Sequence, residues 1–197
     1  MAPVTVAPTQ IRGPWDEGYA LDHHTVSSSF LGYDAFGNPQ FDTKRTQLGE
    51  LVFRLKNRND RTVVDAIADT VVEFAKSRKL PYEVIIPVPA SRERPFQPTV
   101  EIARAVSARV GKPTRESYVR KVKATPELKN VYDYRQRLEL LKDAFEIEAD
   151  KVRGQLILLL DDLYRSGATL RAVAQALRAA EPARIVAVAL TRTRTRI

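Results

Sequence analysis

The amino-acid sequence predicts an α/β fold, with a mostly parallel central sheet flanked by helices. Three short apolar segments lack polar alternation, which is typical of strands buried on both faces; they span residues 84–86, 156–160 and 185–190. Stretches with apolar residues at helical spacing separate these segments. Strands that alternate with helices favour a parallel sheet, whose ligands bind beyond the carboxyl ends of the strands.

Four helices are predicted from the spacing of apolar residues, over about residues 48–55, 64–74, 99–110 and 170–177. Asn59 or Asp60 can cap the second helix. The third is followed by Gly111 and the fourth ends before Pro182. Both boundaries have the residue types that end helices.

The N-terminal region differs in composition from the rest of the chain. Residues 1–20 are rich in proline and small residues without periodicity, and we expect a mobile arm there. Residues 21–197 are predicted to form a single domain. Within it, residues 21–47 combine turn-forming residues with aromatic ones, which indicates a small N-terminal hood lobe.

Composition narrows the possible classes of protein. The chain has 197 residues, of which 44% are hydrophobic and 28% are charged, as in ordinary globular domains. No apolar run approaches the length of a membrane span and no secretion signal is visible, so we expect a cytoplasmic protein without membrane contact. The absence of cysteine excludes disulfides and thiolate catalysis. A net charge of +8 favours phosphorylated or nucleic-acid partners.

The most informative motif follows the apolar run 156–160. Asp161 and Asp162 come first, and a small-residue turn over 166–169 then leads into a helix. Carboxylates can bind sugar hydroxyls, and a helix N-terminus binds phosphate, so the motif indicates a ribose-phosphate site. The alternatives are a solvated acidic turn or the acidic strand of a P-loop ATPase. The nearest glycine loop, residues 32–38, lacks the lysine and hydroxyl of a P-loop.

This motif resembles the phosphoribosyl-pyrophosphate (PRPP) motif of type I phosphoribosyltransferases, which have a Rossmann-like fold. The resemblance implies that Asp161 and Asp162 bind the ribose hydroxyls. It also implies a 5′-phosphate site made by Arg165, Ser166, Gly167, Ala168 and Thr169. Mg²⁺ is the implied cofactor, held through PRPP near the acidic pair rather than by a protein cage.

Other segments between about residues 48 and 192 resemble the ComF-like branch of this family, named for a protein of DNA uptake and transformation. Residues 49–60 look like its first helix, and residues 85–97 like its pyrophosphate loop, with Ala90, Ser91 and Arg92 facing the pyrophosphate. A basic mobile loop is implied by the spacing of its cations, Arg120, Lys121, Lys123 and Arg135.

Two departures from the family pattern affect the functional prediction. Many ComF-like proteins open with a four-cysteine zinc module, and this chain has no cysteine. Arg165 stands where some relatives have a carboxylate that assists proton transfer. Because arginine cannot act as a base, either no base is needed there or Arg165 binds an anionic second substrate.

The leading hypothesis is a transferase that moves phosphoribosyl from PRPP to an unidentified base or amine and releases pyrophosphate. The alternative is a catalytically silent protein that senses PRPP or a nucleotide, or that binds single-stranded DNA. A homodimer is the default oligomer. Three further features have packing or solvation as their simpler explanation: the pair His23–His24, the tail arginines 192, 194 and 196, and the aromatic residues near 15–41.

Overall fold

A five-stranded sheet forms the centre of the protein in the computed structural model, which describes residues 2–90, 96–125, 131 and 133–194. Its strand order is β1-β2-β9-β8-β5, with β1 antiparallel to β2 and the other neighbours parallel. The strands of the described chain are β1 (Thr9–Gln10), β2 (Glu17–His23), β3 (Thr25–Tyr33), β4 (Pro39–Arg45), β5 (Val84–Pro87), β6 (Val119–Lys121), β7 (Phe145–Ile147), β8 (Leu156–Tyr164) and β9 (Arg184–Arg192).

Helices cover both faces of this sheet. They are α1 (Gln47–Arg58), α2 (Val64–Ser77), α3 (Pro98–Val110), α4 (Tyr134–Leu141), α5 (Ala149–Val152) and α6 (Ala168–Ala179), with short 3-10 turns at Arg61–Val63 and Glu116–Tyr118. The predicted α/β fold, with a mostly parallel sheet flanked by helices, is confirmed.

The alternation of side chains along β8 divides the core into two layers. Leu158 and Leu160 pack with α1, α2 and α3 on one face of the sheet. Ile157 and Leu159 pack with α6 on the other. All four side chains are fully buried, because helices lie on both sides of the strand.

Local signals explain how α1 is held at its ends. Thr46 caps its start, since the Thr46 hydroxyl accepts a hydrogen bond from Gly49 N at 3.0 Å. Asn59 ends it in the left-handed conformation, with φ 53°. Asp60 caps the 3-10 turn that follows, accepting from Thr62 N at 3.0 Å. These caps fix where α1 begins and ends.

The prediction of a mobile arm over residues 1–20 is wrong for much of that segment. β1 and most of β2 lie within it and pair into the main sheet. Trp15 is only 8% exposed, and its indole Nε1 donates to Ile11 O at 2.9 Å. Burial of this ring offsets the conformational entropy of ordering a proline-rich segment, which composition alone did not reveal.

The segment predicted as a hood lobe is mainly a hairpin. β3 and β4 pair with each other as a separate two-stranded ribbon. Its aromatic residues include Phe30, Tyr33 and Phe41, which are all at least 47% exposed. Residues 21–23 of the predicted lobe belong instead to β2 in the main sheet. Among the described residues, no helix is long and apolar enough to cross a membrane.

Candidate functional site

A cavity of about 430 Å³ lies at the carboxyl edge of the sheet. The end of β8 and the first turns of α3 and α6 contribute to its wall, together with the last turn of α1 and one residue of α4. It brings together side chains that are far apart in sequence. Its polar and charged side chains are Lys56, Asn57, Gln97, Thr99, Arg137, Asp161, Asp162, Arg165, Ser166 and Thr169.

The acidic pair lies within β8 rather than after it, because the strand continues to Tyr164 instead of ending at the predicted residue 160. Successive strand residues point to opposite faces, so the two carboxylates diverge. Asp162 points to the α1 side, where its Oδ2 lies 2.7 Å from Lys56 Nζ. Asp161 pairs in register with Ala189, whose side chain packs in the α6 layer.

Burial, and after it the neighbouring charge of Asp162, raise the pKa of Asp161 to about 7. The positive charge of Lys56 and the backbone N–H groups of Asp162 and Leu163 act in the opposite direction. Of these amides, Asp162 N donates to Asp161 Oδ1 at 2.8 Å. Asp161 is therefore poised to lose or gain a proton near neutral pH, unlike an ordinary surface carboxylate.

The turn between β8 and α6 presents open backbone groups to the cavity. Gly167 precedes α6 in the left-handed conformation, with φ 75°, and the Ser166 hydroxyl accepts a hydrogen bond from Ala168 N at 3.4 Å. A Cβ on Gly167 would lie 2.5 Å from the ring of Tyr164, so only glycine fits there. Ser166, Ala168 and Thr169 also line the cavity, and Arg165 is exposed at its rim.

All five residues predicted for the 5′-phosphate thus surround one side of the cavity. The first N–H groups of α6 and the positive end of its dipole lie on the same side. The arrangement favours an anion, as the sequence predicts. Tyr164 packs beneath the turn, which agrees with a packing role for this side chain.

Another part of the cavity wall is formed by residues 88–90, which follow β5, and by the start of α3. Ala90 is exposed and lines the cavity, next to Gln97 and the first turn of α3. A second helix N-terminus therefore faces the same space. Ser91 and Arg92, the other residues predicted for the pyrophosphate, lie outside the described residues.

The predicted loop cations fall in two places. Arg120, Lys121 and Lys123 line a second cavity, of about 570 Å³, which shares Ala90 and Gln97 with the first. Arg120 forms an exposed ion pair with Glu146 at 2.9 Å. Lys121 Nζ donates to Thr125 Oγ1 at 2.6 Å, and burial lowers the pKa of Lys121.

Arg135 is exposed and does not line either cavity. Its neighbour two residues on, Arg137, lines the main one instead. The two arginines point in different directions because residues two apart on a helix do not share a face. The role predicted for Arg135 stays a prediction, and helical periodicity over 134–141 could have indicated that Arg137 lies on a different face.

Sequence reasoning also missed the role of Lys56. It lies in the last turn of α1, 106 residues before the carboxylate that it pairs with. The resemblance to the first ComF-like helix covers this lysine but assigned it no contact. Only the packing of α1 beside β9, next to β8, brings the ammonium group to Asp162.

The histidine pair has a structural explanation. His24 Nδ1 lies 3.1 Å from Thr191 Oγ1, and burial lowers the pKa of His24. Within the described part of the chain, no group of three or more His, Cys, Asp or Glu residues could hold a metal ion.

Comparisons with solved structures find similar folds in an amidotransferase and a phosphoribosyltransferase, among others. One is the glutamine PRPP amidotransferase of B. subtilis complexed with ADP and GMP, 15% identical, with a TM-score of 0.49, covering 86% of this chain and 36% of that one. Another is the orotate phosphoribosyltransferase of Aeropyrum pernix, 18% identical, with a TM-score of 0.45, covering 83% and 75%. No protein-family model matches the chain.

Among curated proteins, the chain is similar to the competence protein ComFC of Bacillus subtilis, with 27% identity over 136 residues. The predicted resemblance to the ComF-like branch is confirmed. The match covers 68% of this chain and 55% of the relative, so the chain spans about half the length of ComFC.

Proposed function

We propose that this ComF-like chain binds PRPP with Mg²⁺ and transfers its phosphoribosyl group to a base or amine. The observation that carries the proposal is a single cavity that joins a carboxylate pair to a helix N-terminus whose N-cap residue, Gly167, has no side chain. Carboxylates accept hydrogen bonds from a ribose diol, while the helix start binds its 5′-phosphate. A phosphorylated ribose carries both groups, a diol and a phosphate monoester.

In the proposed reaction the bond between ribose C1 and the pyrophosphate oxygen breaks, and the oxygen keeps the electron pair. The acceptor nitrogen then bonds to C1 with its own lone pair and later releases a proton. The chain would contribute by fixing the sugar, stabilising the departing pyrophosphate and excluding water. Arg165 cannot take the proton, so the acceptor must lose it to another group or to solvent.

The described residues fit a magnesium ion that enters with its ligand. Asp161 and Asp162 are two oxygen donors at the cavity, which is too few for a dedicated protein cage. When bound, the ion would neutralise charge on the pyrophosphate. Lys56 already balances one of the two carboxylates, which limits the electrostatic attraction of the pair for a free cation.

Calorimetry with PRPP, with and without Mg²⁺, tests this proposal. Asp161→Asn and Asp162→Asn are each expected to weaken binding at least about tenfold, and the double variant should abolish it. Asp42→Asn is the matched control, because Asp42 is exposed on β4 and lies outside the cavity. Equal affinity of the double variant and the wild type would contradict the ribose assignment.

A second candidate function is binding of single-stranded DNA or sensing of a nucleotide without transfer. The basic second cavity and the net charge of +8 favour it. DNA bound through phosphates would dissociate steeply as salt rises. Titration of a short single strand at two salt concentrations separates the candidates, since DNA binding should survive the Asp161→Asn/Asp162→Asn change while PRPP binding should not.

A further inference from the structure

Among the described residues, three side-chain cations line the main cavity, and they differ in whether a carboxylate already neutralises their charge. Lys56 is paired with Asp162 at 2.7 Å. Arg165 is exposed at the rim. Arg137 is half-buried in the wall, on α4. Of the three, Arg137 combines partial burial with a charge that no carboxylate of the described chain neutralises.

The guanidinium of Arg137 is held from one edge. Within the described residues, its Nε donates a hydrogen bond to the backbone carbonyl oxygen of Val131 at 2.6 Å. No acceptor among the described residues binds the two Nη groups, so they can meet a ligand from the cavity. An arginine fixed through Nε presents these groups as a fork, and a fork matches two oxygens of a phosphate.

The position of α4 determines which part of a ligand the two Nη groups of Arg137 would contact. Leu138 and Leu141 pack against Ala168 and Ala172, in the first turns of α6. α4 therefore lies beside the helix start that faces the cavity. Arg137 shares the cavity wall with Ser166 and Thr169 of the phosphate turn.

We propose that Arg137 binds the phosphate monoester of the ligand, as a bidentate partner opposite the turn that opens α6. The proposal rests on the proposed function, because it assigns the monoester to the same ribose-phosphate site. The backbone of the turn would bind the phosphate from the sheet side and Arg137 from the α4 side. The site therefore selects sugars that carry a terminal monoester over the unphosphorylated sugar.

A nuclear magnetic resonance titration of the full chain with ribose 5-phosphate, and separately with magnesium pyrophosphate, tests the assignment. Arg137→Gln should weaken ribose 5-phosphate binding by roughly ten- to a hundredfold, as expected for charge-assisted hydrogen bonds. It should leave pyrophosphate binding within about twofold. Arg137→Lys, which keeps the charge but loses the fork, should recover only part of the affinity.

Arg135→Gln provides the matched control, because it removes the same charge from the same helix at an exposed position outside the cavity. Equal losses for Arg135→Gln and Arg137→Gln would overturn the proposal, since they would show a general effect of charge. A loss confined to pyrophosphate, or wild-type protein that binds no ribose 5-phosphate, would also overturn it. If the wild type binds ribose 5-phosphate but not magnesium PRPP, the proposed transferase function is wrong, whereas the phosphate-binding role of Arg137 still holds.

Discussion

Strands β8 and β9 are neighbours of equal length with different ends. Both have nine residues, run parallel and are fully buried through their centres. They diverge after the register pair Leu160 and Val188. β9 continues with Ala189 and Leu190, which are apolar and buried, whereas β8 continues with two carboxylates.

The difference shows that folding favours apolar side chains along the sheet, whereas the site requires charged side chains at the end of one strand. The apolar centres of both strands contribute burial, which favours folding. The acidic end of β8 places charge next to that core, and the raised pKa of Asp161 reflects the resulting desolvation. Changes at the strand centres should therefore alter stability alone, and changes at the end of β8 should alter binding.

The largest expected effect on stability is at the strand centres. Leu158→Ala in β8 should lower the free energy of unfolding by about 2–5 kcal/mol, because it leaves a cavity in a fully buried layer. Val186→Ala, at the register partner in β9, should act in the same direction with a smaller loss. Urea denaturation measures both. A change in PRPP affinity of the folded protein would contradict the separation of fold and site.

Gly167→Ala should affect both properties. The new Cβ would meet the Tyr164 ring at 2.5 Å in a left-handed backbone, which predicts a loss of about 2–4 kcal/mol and weaker phosphate binding. Gly37→Ala is the control, since Gly37 has φ +78° with open space around its Cα. Gly37→Ala should lower the free energy of unfolding by only about 1–2 kcal/mol, because of backbone strain, and should leave phosphate affinity unchanged. Equal effects of the two substitutions would argue against the close packing on Tyr164.

The raised pKa of Asp161 makes the stability of the protein depend on pH. The folded protein keeps the Asp161 proton up to about pH 7, whereas the unfolded chain releases it near its ordinary pKa of 3.8. The free energy of unfolding should therefore fall as the pH rises between these values and level off above about pH 8.

Asp161→Asn removes this titration, so the variant should gain stability relative to wild type on going from about pH 5 to about pH 8. The gain is bounded at a few kcal/mol, because one unit of pKa corresponds to about 1.4 kcal/mol. Urea denaturation at both pH values measures it, with Asp42→Asn as the control. If the variant and the wild type differ in the free energy of unfolding by the same amount at both pH values, the pKa of Asp161 is not raised in the folded protein.

The smallest expected effect is at Thr191, near the end of β9. Its buried hydroxyl lies 3.1 Å from His24 Nδ1 and donates to Asp162 O at 3.3 Å. Thr191→Val should lower the free energy of unfolding by about 1 kcal/mol, as for one buried hydrogen-bonding group. Thr43→Val removes an exposed hydroxyl that contacts Ser28 at 2.9 Å and should change it less. Thermal unfolding compares the two, and a larger effect at Thr43 would contradict this ranking.

The parts of the fold that could be predicted from sequence are those set by local patterns. Uninterrupted apolar runs predicted β5, β8 and β9, since such runs are typical of strands covered on both faces. Helical spacing and end signals predicted α3 to within one residue of its observed start at Pro98. The acidic pair and the turn at 166–169 were predicted to lie together, and one cavity contains both.

The features that were missed depend on contacts between distant segments. No local pattern marks Lys56 as the partner of Asp162, because the pairing depends on how α1 packs. Burial of Trp15 orders a segment whose composition resembles a mobile arm. The extension of β8 through the two carboxylates arises from pairing with β9, which stabilises strand geometry in residues that have low strand propensity.

The position of β2 beside β9 has a consequence for how the chain folds. Asp16, just before β2, accepts a hydrogen bond from Ile185 N, 169 residues away in the sequence. During synthesis β2 must wait for β9 to leave the ribosome before the two can pair. Such non-local pairing raises contact order and slows folding. An unpaired apolar strand would meanwhile be exposed, so we expect dependence on chaperones to decrease when β2 is fused after β9 by circular permutation.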